Sequence, residues 1–334
     1  LVSDEQTTES TEEAQEEKDP LIPEIDTSVE LQAGSRVAVV SKSTSGEFWG
    51  LVKKGMEQAI ADVNEAYGFK KEDQVTMTFE GASDEKDVES QVNTIDAVIA
   101  ENPDVLCVSA SDMDSLQAQL EAAKENGIPV VAFDSGVTDS KMVRAFRGTD
   151  NTRVGEIAAY RLATAIGKMG KVAVFSAQEK TQSIQERVSG FTNYITNYPD
   201  IEVVEIVYQD QVDDMTAAMQ EVLDKYPQLD GVFCNNADIA DLYLDMKKDE
   251  TKDSIVMVGV DATAKQQEAI RNSKEVGVVS QQPYAMGYQT IWTALLTTAP
   301  KKSVEIKRNV RIDPAWIDSS NIDDPTYSSY LYAN

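Results

Sequence analysis

The fold is decided between residues 36 and 63, RVAVVSKSTSGEFWGLVKKGMEQAIADV. The stretch opens with a short run, 36–41 (RVAVVS), whose apolar residues fall on both faces, as in a strand buried within a parallel sheet. A polar turn follows. Beyond it Phe48, Leu51, Val52, Met56, Ala59, Ile60 and Val63 recur at helical spacing. The same unit then repeats. Further β-branched runs stand at 75–80, 105–109, 129–134, 171–176, 203–208, 231–235, 255–261 and 276–280. Helical stripes such as Val88, Val92, Ile95 and Ile99 separate them. Strands alternating with helices imply doubly wound α/β layers built from right-handed crossovers. There are too many units for one compact sheet. GTDN at 148–151 precedes a new helix, with Asn151 as the expected N-cap, and a second series starts at Gly170. The pattern predicts two Rossmann-like α/β lobes with a cleft between them.

Composition narrows the function. The chain has 334 residues, about two domains' worth, and 41% hydrophobic residues are enough for a sizeable core. Lys and Arg total 30 against 58 Asp and Glu, a net charge of −28, so nucleic acid and anionic lipid are poor partners. Histidine is absent, which removes Ser-His-Asp and Cys-His catalysis and His metal sites. Cys107 and Cys234 fall in strands of different halves and read as buried, inert thiols; two cysteines cannot build a structural zinc site. No glycine-rich dinucleotide or phosphate loop and no EF-hand loop occurs. No cofactor and no metal is expected. No apolar run approaches the roughly 18 residues of a membrane span.

Residues 1–34 differ from the rest. Eleven acids and one base, Lys18, fall between Leu1 and Glu30, a net −10. The segment reads as a disordered, self-repelling acidic tether, or as an acidic tail with no role. A chain starting at Leu1 is expected to be processed or trimmed, with any signal peptide or lipid-attachment cysteine upstream.

Ligands of open parallel sheets bind beyond the carboxyl ends of the strands. The residues there are polar and acidic, with Phe48 and Trp49 at their first edge. Two adjacent aromatics on a helix cannot both face the same core, so one is expected to point into the cleft, where it could stack on a sugar ring; the alternative is that both pack under the turn. Asp134 and Asp261 end strands and could accept hydrogen bonds from neighbouring hydroxyls, or serve as turn residues. Asn236, after another strand, could donate and accept, or simply turn the chain. Arg187, on a helix, has a solvated face as its alternative. Two carboxylates and one guanidinium suit a neutral polyhydroxyl ligand or a cation better than a phosphate.

Eight segments in order complete the picture: SGEFWGLVKKGMEQA, NPDVLCVSASDMDSL, AAKENGIPVVAFDSGV, GTDNTRVGEIAA, ERVSGF, YPQLDGVFCNNADIA, VMVGVDATAKQQEAI and VGVVSQQPYAMGYQ. The chain resembles, over residues 36–322, the ribose-binding-protein-like branch of type I periplasmic sugar-binding proteins, the solute receptors of ABC transporters. The resemblance implies two lobes joined by three hinge strands that close on the ligand, with crossings near 148–149, 281–282 and 311–312. The N-terminal lobe would comprise 36–149 plus 282–311, and the C-terminal lobe 150–281 plus 312–334. Family sugar contacts fall on Phe48, Trp49, Asp134, Arg187, Asn236, Asp261 and Gln281. Three positions depart from the pattern: Gly46 and Ser109 stand where asparagines are expected, and Ser135 where ribose binders carry an arginine. The aromatic expected near 210–212 is missing, with Tyr208 close by. These departures point away from ribose itself, and 176–180 and 209–212 are expected to carry the changed specificity. Ser109 and Ser135 join the candidate ligand contacts.

The implied function is non-enzymatic: an extracytoplasmic receptor, expected to be a monomer, that passes a monosaccharide or related polyol to an ABC permease. The acidic tether fits a lipid-anchored receptor at the outer face of a Gram-positive membrane. Alternatives are a ligand sensor for a chemoreceptor or histidine kinase, and a receptor for an autoinducer-type or nucleoside ligand. A repressor effector domain would need a basic helix-turn-helix where the acidic segment stands. An α/β enzyme is disfavoured by the absent histidine and phosphate loop.

Overall fold

In a computed structural model the protein is described at residues 18–250, 253–300 and 304–332. The first sheet contains β1 (Arg36–Val40), β2 (Thr76–Glu80), β3 (Val105–Val108), β4 (Val130–Phe133), β5 (Ala145–Thr149) and a late strand, β11 (Asn309–Ile312). Their spatial order is β11-β5-β4-β3-β1-β2, and every pair is parallel. The second sheet contains β6 (Gly170–Ser176), β7 (Ile201–Tyr208), β8 (Gly231–Cys234), β9 (Val256–Val260), β10 (Gly277–Ser280) and β12 (Ala315–Asp318). Its order, β12-β10-β9-β8-β6-β7, repeats the first, except that β12 runs antiparallel to β10.

Helices cover both faces of each sheet, so the central strands are buried throughout. In the first lobe α1 (Glu47–Tyr67) and α9 (Pro283–Leu296) share one face, where Val52, Met56, Ile291 and Leu295 pack onto Val39 and Cys107. On the other face α2 (Val88–Ala100) and α3 (Gln117–Glu125) bury Ile95 and Leu120 on Leu106. In the second lobe α4 (Asn151–Ala165) and α5 (Gln182–Ile195) cover one side. On its other side lie α6 (Met215–Lys225), α7 (Ala237–Met246) and α8 (Ala264–Arg271). Both cysteines are free and buried, each in its own sheet, and burial raises both thiols far above their usual range.

The chain passes between the sheets three times: after β5, at Gln281–Gln282, and between β11 and β12. The last passage comes at 313–314, two residues later than expected. The three strands with no clear sequence signal, β5, β11 and β12, are the ones at these passages. β11 (NVRI) and β12 (AWID) lie at sheet edges and are only half covered, whereas β5 (AFRGT) is an interior, buried strand that carries Arg147, Gly148 and Thr149 in place of an apolar run.

Two expectations are corrected. Asp150, not Asn151, caps α4, its side chain accepting from Arg153 N. The tether reading fails for residues 18–34, which lie against the first lobe; residues 1–17 lie outside the described residues. Leu31 is buried in the first-lobe core, and Leu21, Ile22, Ile25 and Val29 pack on it. The Tyr67 hydroxyl donates to the carbonyls of Asp26 and Val29 at 2.9 and 2.6 Å, and Gln289 donates to the carbonyl of Leu21. The count of acids hid these apolar residues, which suffice to hold the segment down.

Candidate functional site

The carboxyl ends of the two sheets face one another across the interlobe cleft, and the two aspartates occupy equivalent places there. Asp134 follows β4 and Asp261 follows β9, the matching strands of the two sheets. Each backbone N–H donates at 2.9 Å to the next strand, Asp134 to Arg147 O and Asp261 to Val279 O. Each residue sits in the left-handed region, at φ 61° and 74°. Aspartate tolerates that region better than most side chains, yet such conformations cost about 1–3 kcal/mol and gather at functional sites. The strain turns both carboxylates inward.

Asp134 is anchored at one oxygen. Its Oδ2 accepts from Ser109 Oγ at 2.7 Å and pairs with Lys42 Nζ at 3.0 Å. Lys42 Nζ also donates to Ser135 Oγ at 3.1 Å and stands 5.7 Å from the Trp49 ring centre. Burial alone would lower this ammonium, but Asp134 and Glu85 outweigh it and hold it above the usual lysine range, with Arg187 opposing. Asp261 is more fully engaged. Its Oδ1 accepts from Gln281 Nε2 at 2.7 Å and from the Tyr332 hydroxyl at 2.6 Å, and its Oδ2 from Ala237 N at 2.9 Å. Gln281 in turn accepts from Thr149 Oγ1 at 2.7 Å, tying a hinge strand of the first lobe to the aspartate of the second. Arg187 on α5 donates from Nε to Asn151 Oδ1 and from Nη1 to Asn235 O, at 2.9 and 2.8 Å. Both partners are neutral.

These groups surround a cavity of about 200 Å³. It is smaller than the roughly 300–1,000 Å³ of pockets for drug-sized ligands, and so matches one small molecule. Of the nine expected residues, Phe48, Trp49, Asp134, Arg187, Asn236, Asp261 and Gln281 line it. Ser109 and Ser135 do not. They stand behind the wall, the first hydroxyl spent on Asp134 and the second shared between Lys42 and Ser183, 2.6 Å away. Residues 176–180 and 209–212 do not line it either. Gln178 is buried, and 209–211 continue from β7, the strand at the far edge of its sheet. The aromatic pair does not divide its duties between core and cleft. Both rings are buried in the first-lobe core, edge to face with centroids 4.9 Å apart, and both also reach the cavity. Trp49 is fixed by donation from Nε1 to Glu85 at 2.8 Å.

Sequence reasoning passed over several groups. Lys42, in the turn between β1 and α1, lines the cavity although sequence reasoning singled out only Phe48 and Trp49 at that edge. Tyr332 comes from the chain's end. Its backbone N–H donates to Ala262 O, its ring lies 6.0 Å from Phe48, and its hydroxyl holds Asp261. No local pattern marks such a residue. Glu47, Asp238 and Asp241 also line the cavity. Burial pushes Asp238 up to about 7, helped by Glu85, Asp261, Asp241 and Asp84. Its outer edge remains exposed, so the cleft walls rather than a sealed interior withdraw its water. Asp241 is pushed to about 6, again first by burial, against a hydrogen bond from Thr263. With two cations and five carboxyl groups around it, the cavity disfavours an anion.

The lobes touch on both sides of this space. Ala264 N, at the start of α8, donates to Glu47 Oε2 at 3.1 Å. Opposite, Thr181 Oγ1 donates to Ser111 O at 2.6 Å and Met113 N to Lys180 O at 2.8 Å. Among the described residues no cluster of three or more Asp, Glu or Cys side chains is placed to hold a metal, and no helix is long and apolar enough to cross a membrane.

Residues 37–299 match the family model of the periplasmic binding protein domain. The chain belongs to the periplasmic binding protein family. Its two lobes are the type I fold of that family. An ABC transporter solute binding protein from Agrobacterium vitis with bound D-fucose is a similar structure, at TM-score 0.81 and 28% identity over 89% of this chain and 100% of that one. A carbohydrate transporter solute binding protein from Agrobacterium radiobacter, in complex with D-arabinose, gives 0.80 and 28% over 90% and 99%. Among curated relatives, the ribose import binding protein RbsB of Bacillus subtilis is 27% identical over 203 residues, 61% of this periplasmic binding protein and 66% of the relative. The RbsB of Escherichia coli is 24% identical over 57% and 64%. The chain thus spans just under two thirds of the length of these relatives.

Proposed function

We propose that this chain is an extracytoplasmic solute receptor that encloses one monosaccharide or related polyol between its lobes and presents it, as a monomer, to an ABC permease. One observation carries the reading. At the carboxyl ends of both sheets, Phe48 and Trp49 share a cavity of about 200 Å³ with Asp134, Arg187 and Asn236. An aromatic face beside planar polar groups is the arrangement that binds a sugar ring and replaces its water. The solute binding proteins with D-fucose and D-arabinose support the ligand class. Closure about the three interlobe passages would admit and release the ligand, and no chemical step is part of the reading. Attachment to the outer face of a Gram-positive membrane through a lipid ahead of the acidic N-terminal stretch belongs to the same proposal.

A thermal-shift panel on refolded, ligand-stripped protein tests it, with D-ribose, D-arabinose, D-fucose, D-allose, xylitol and inositols beside nucleosides. A ligand at 100 times its dissociation constant adds about 2.7 kcal/mol, a rise of several degrees at roughly 2–4 °C per kcal/mol. One sugar or polyol raising the melting temperature that far is the expected result, and Trp49→Ala should abolish the rise. A flat panel with intact circular dichroism overturns the sugar reading.

A further inference from the structure

A second buried guanidinium stands away from the sugar cavity. Arg147 of β5 is 7% exposed and lies in register with Val310 of β11, so both side chains point to the sheet face that α9 covers. An arginine carries five N–H donors. Among the described residues Arg147 makes one hydrogen bond, from Nη1 to the neighbouring Phe146 carbonyl at 2.8 Å, and it pairs with no Asp or Glu, although the chain carries 58 of them. Burial alone acts on its charge, lowering the guanidinium to about 10, so it is still a cation at neutral pH. A buried cation without a counter-charge is costly to keep. Arg187, which also has only neutral partners, faces the sugar cavity. Arg147 faces a different cavity, of about 270 Å³, which shares no lining residue with the first. We propose that this cavity is a second ligand site, for a small carboxylate with an apolar body, the carboxylate pairing with Arg147 and the body lying against Trp292.

The lining sets the ligand class. Trp292 and Leu296 of α9, Val310 of β11 and Ile306 give apolar walls, and Pro20 and Pro23 close one side. That side is held in place by Gln289 of α9, which donates to the Leu21 carbonyl at 2.7 Å. Glu305 and Lys307 also line the cavity, but both are exposed and their charges cancel. Arg147 is thus the one uncompensated charge. Its planar fork matches a carboxylate with two parallel hydrogen bonds. A phosphate would bring a second negative charge and no apolar surface to cover the walls. A neutral ligand would leave the buried charge unanswered. The site belongs to the first lobe alone, so the proposal is independent of the sugar reading.

The test is calorimetric titration of the full chain with benzoate, phenylacetate and hexanoate, each beside its neutral amide, and with inorganic phosphate. At least one carboxylate should bind saturably, and its amide about tenfold or more weaker, as for a lost hydrogen bond to a charged group. R147Q should bring that acid and its amide within about threefold of each other. Because R147Q alters a buried strand, I306D is the second variant. Ile306 is a half-buried wall residue outside any helix or strand, and a carboxylate there repels the acid but not the amide. I306D should therefore weaken the acid about tenfold and leave the amide within about threefold, with circular dichroism matching the wild type. No carboxylate binding by the wild type, tighter binding of phosphate than of every carboxylate, or an unchanged preference for acid over amide in both variants overturns the proposal.

Discussion

Asp134 and Asp261 show how one residue type at equivalent strand ends takes different work. Both accept a left-handed backbone, but Asp261 spends its oxygens on Gln281, Tyr332 and Ala237 N, whereas Asp134 has both its side-chain partners among the described residues, Ser109 and Lys42, on Oδ2. Asp261 thus orders the second lobe's rim, and Asp134 faces the cavity. Asp238 carries a pH consequence. Burial first, then Glu85, Asp261, Asp241 and Asp84, raise its carboxyl from 3.8 to about 7, so the folded protein keeps a proton that the unfolded chain releases. Stability from this group is then greatest below its ordinary value and falls as pH rises toward about 7. Asp84 and Glu85 come from the first lobe and Asp238 from the second, so the newly charged group also repels across the cleft. Melting curves at about pH 5 and pH 8 should show a smaller loss for Asp238→Asn than for the wild type. Equal losses would remove Asp238 from the account.

At the scale of elements, the guanidinium of Arg187 is placed by a helix pair that meets through glycines. A Cβ at Gly155 of α4 would fall 2.1 Å from Arg187 O and 2.6 Å from Phe191 N. A Cβ at Gly190 of α5 would fall 2.2 Å from Thr152 O. Backbone cannot yield as a side chain can, so Gly155→Ala should force α5 away from α4. Overpacking of this kind costs about 1–3 kcal/mol. Calorimetry should find the variant several degrees less stable, and the displaced Arg187 should weaken sugar binding. Gly50→Ala, on α1 with nothing near the new methyl, is the control and should leave the melting temperature unchanged or raise it.

At the scale of the molecule, the two sheets share one strand order, and the chain crosses between them where both expose their carboxyl ends. Arg311 of β11 adds an ion pair to Glu186 of α5 at 2.9 Å, with its guanidinium 4.4 Å from the Phe146 ring. Residues 18–34 belong to this body as well. Their loss would uncover the pocket of Leu31 and strand the Tyr67 hydroxyl. Full burial of one leucine is worth about 1.5–3 kcal/mol. A protein starting at residue 35 should therefore melt several degrees below one starting at residue 18. Matching curves would show that the segment adds nothing to the fold.

The alternation of buried runs and helical stripes was enough for the sheets, their central strands and the cleft, because period and polarity are local properties that burial on both faces imprints directly. Strand-end position singled out Phe48, Trp49, Asp134, Asn236, Asp261 and Gln281 for the same reason: in a parallel sheet, sequence order fixes which end faces the ligand. Only the family resemblance raised Arg187 above a solvated helix-face reading, since a helix-face arginine has no local mark. The hinge strands were invisible because β11 and β12, at sheet edges, lack the two-sided apolar pattern, and β5, though buried, carries Arg147, Gly148 and Thr149 in place of an apolar run. Residues 18–34 were misread because charge was weighed and packing could not be. Ser109 and Ser135 had the right address but spend their hydroxyls behind the wall. Lys42 and Tyr332 needed the tertiary structure outright: their meaning lies in an ion pair and a hydrogen bond to residues 92 and 71 positions away, and only the closed packing of chain segments brings those partners within 3 Å.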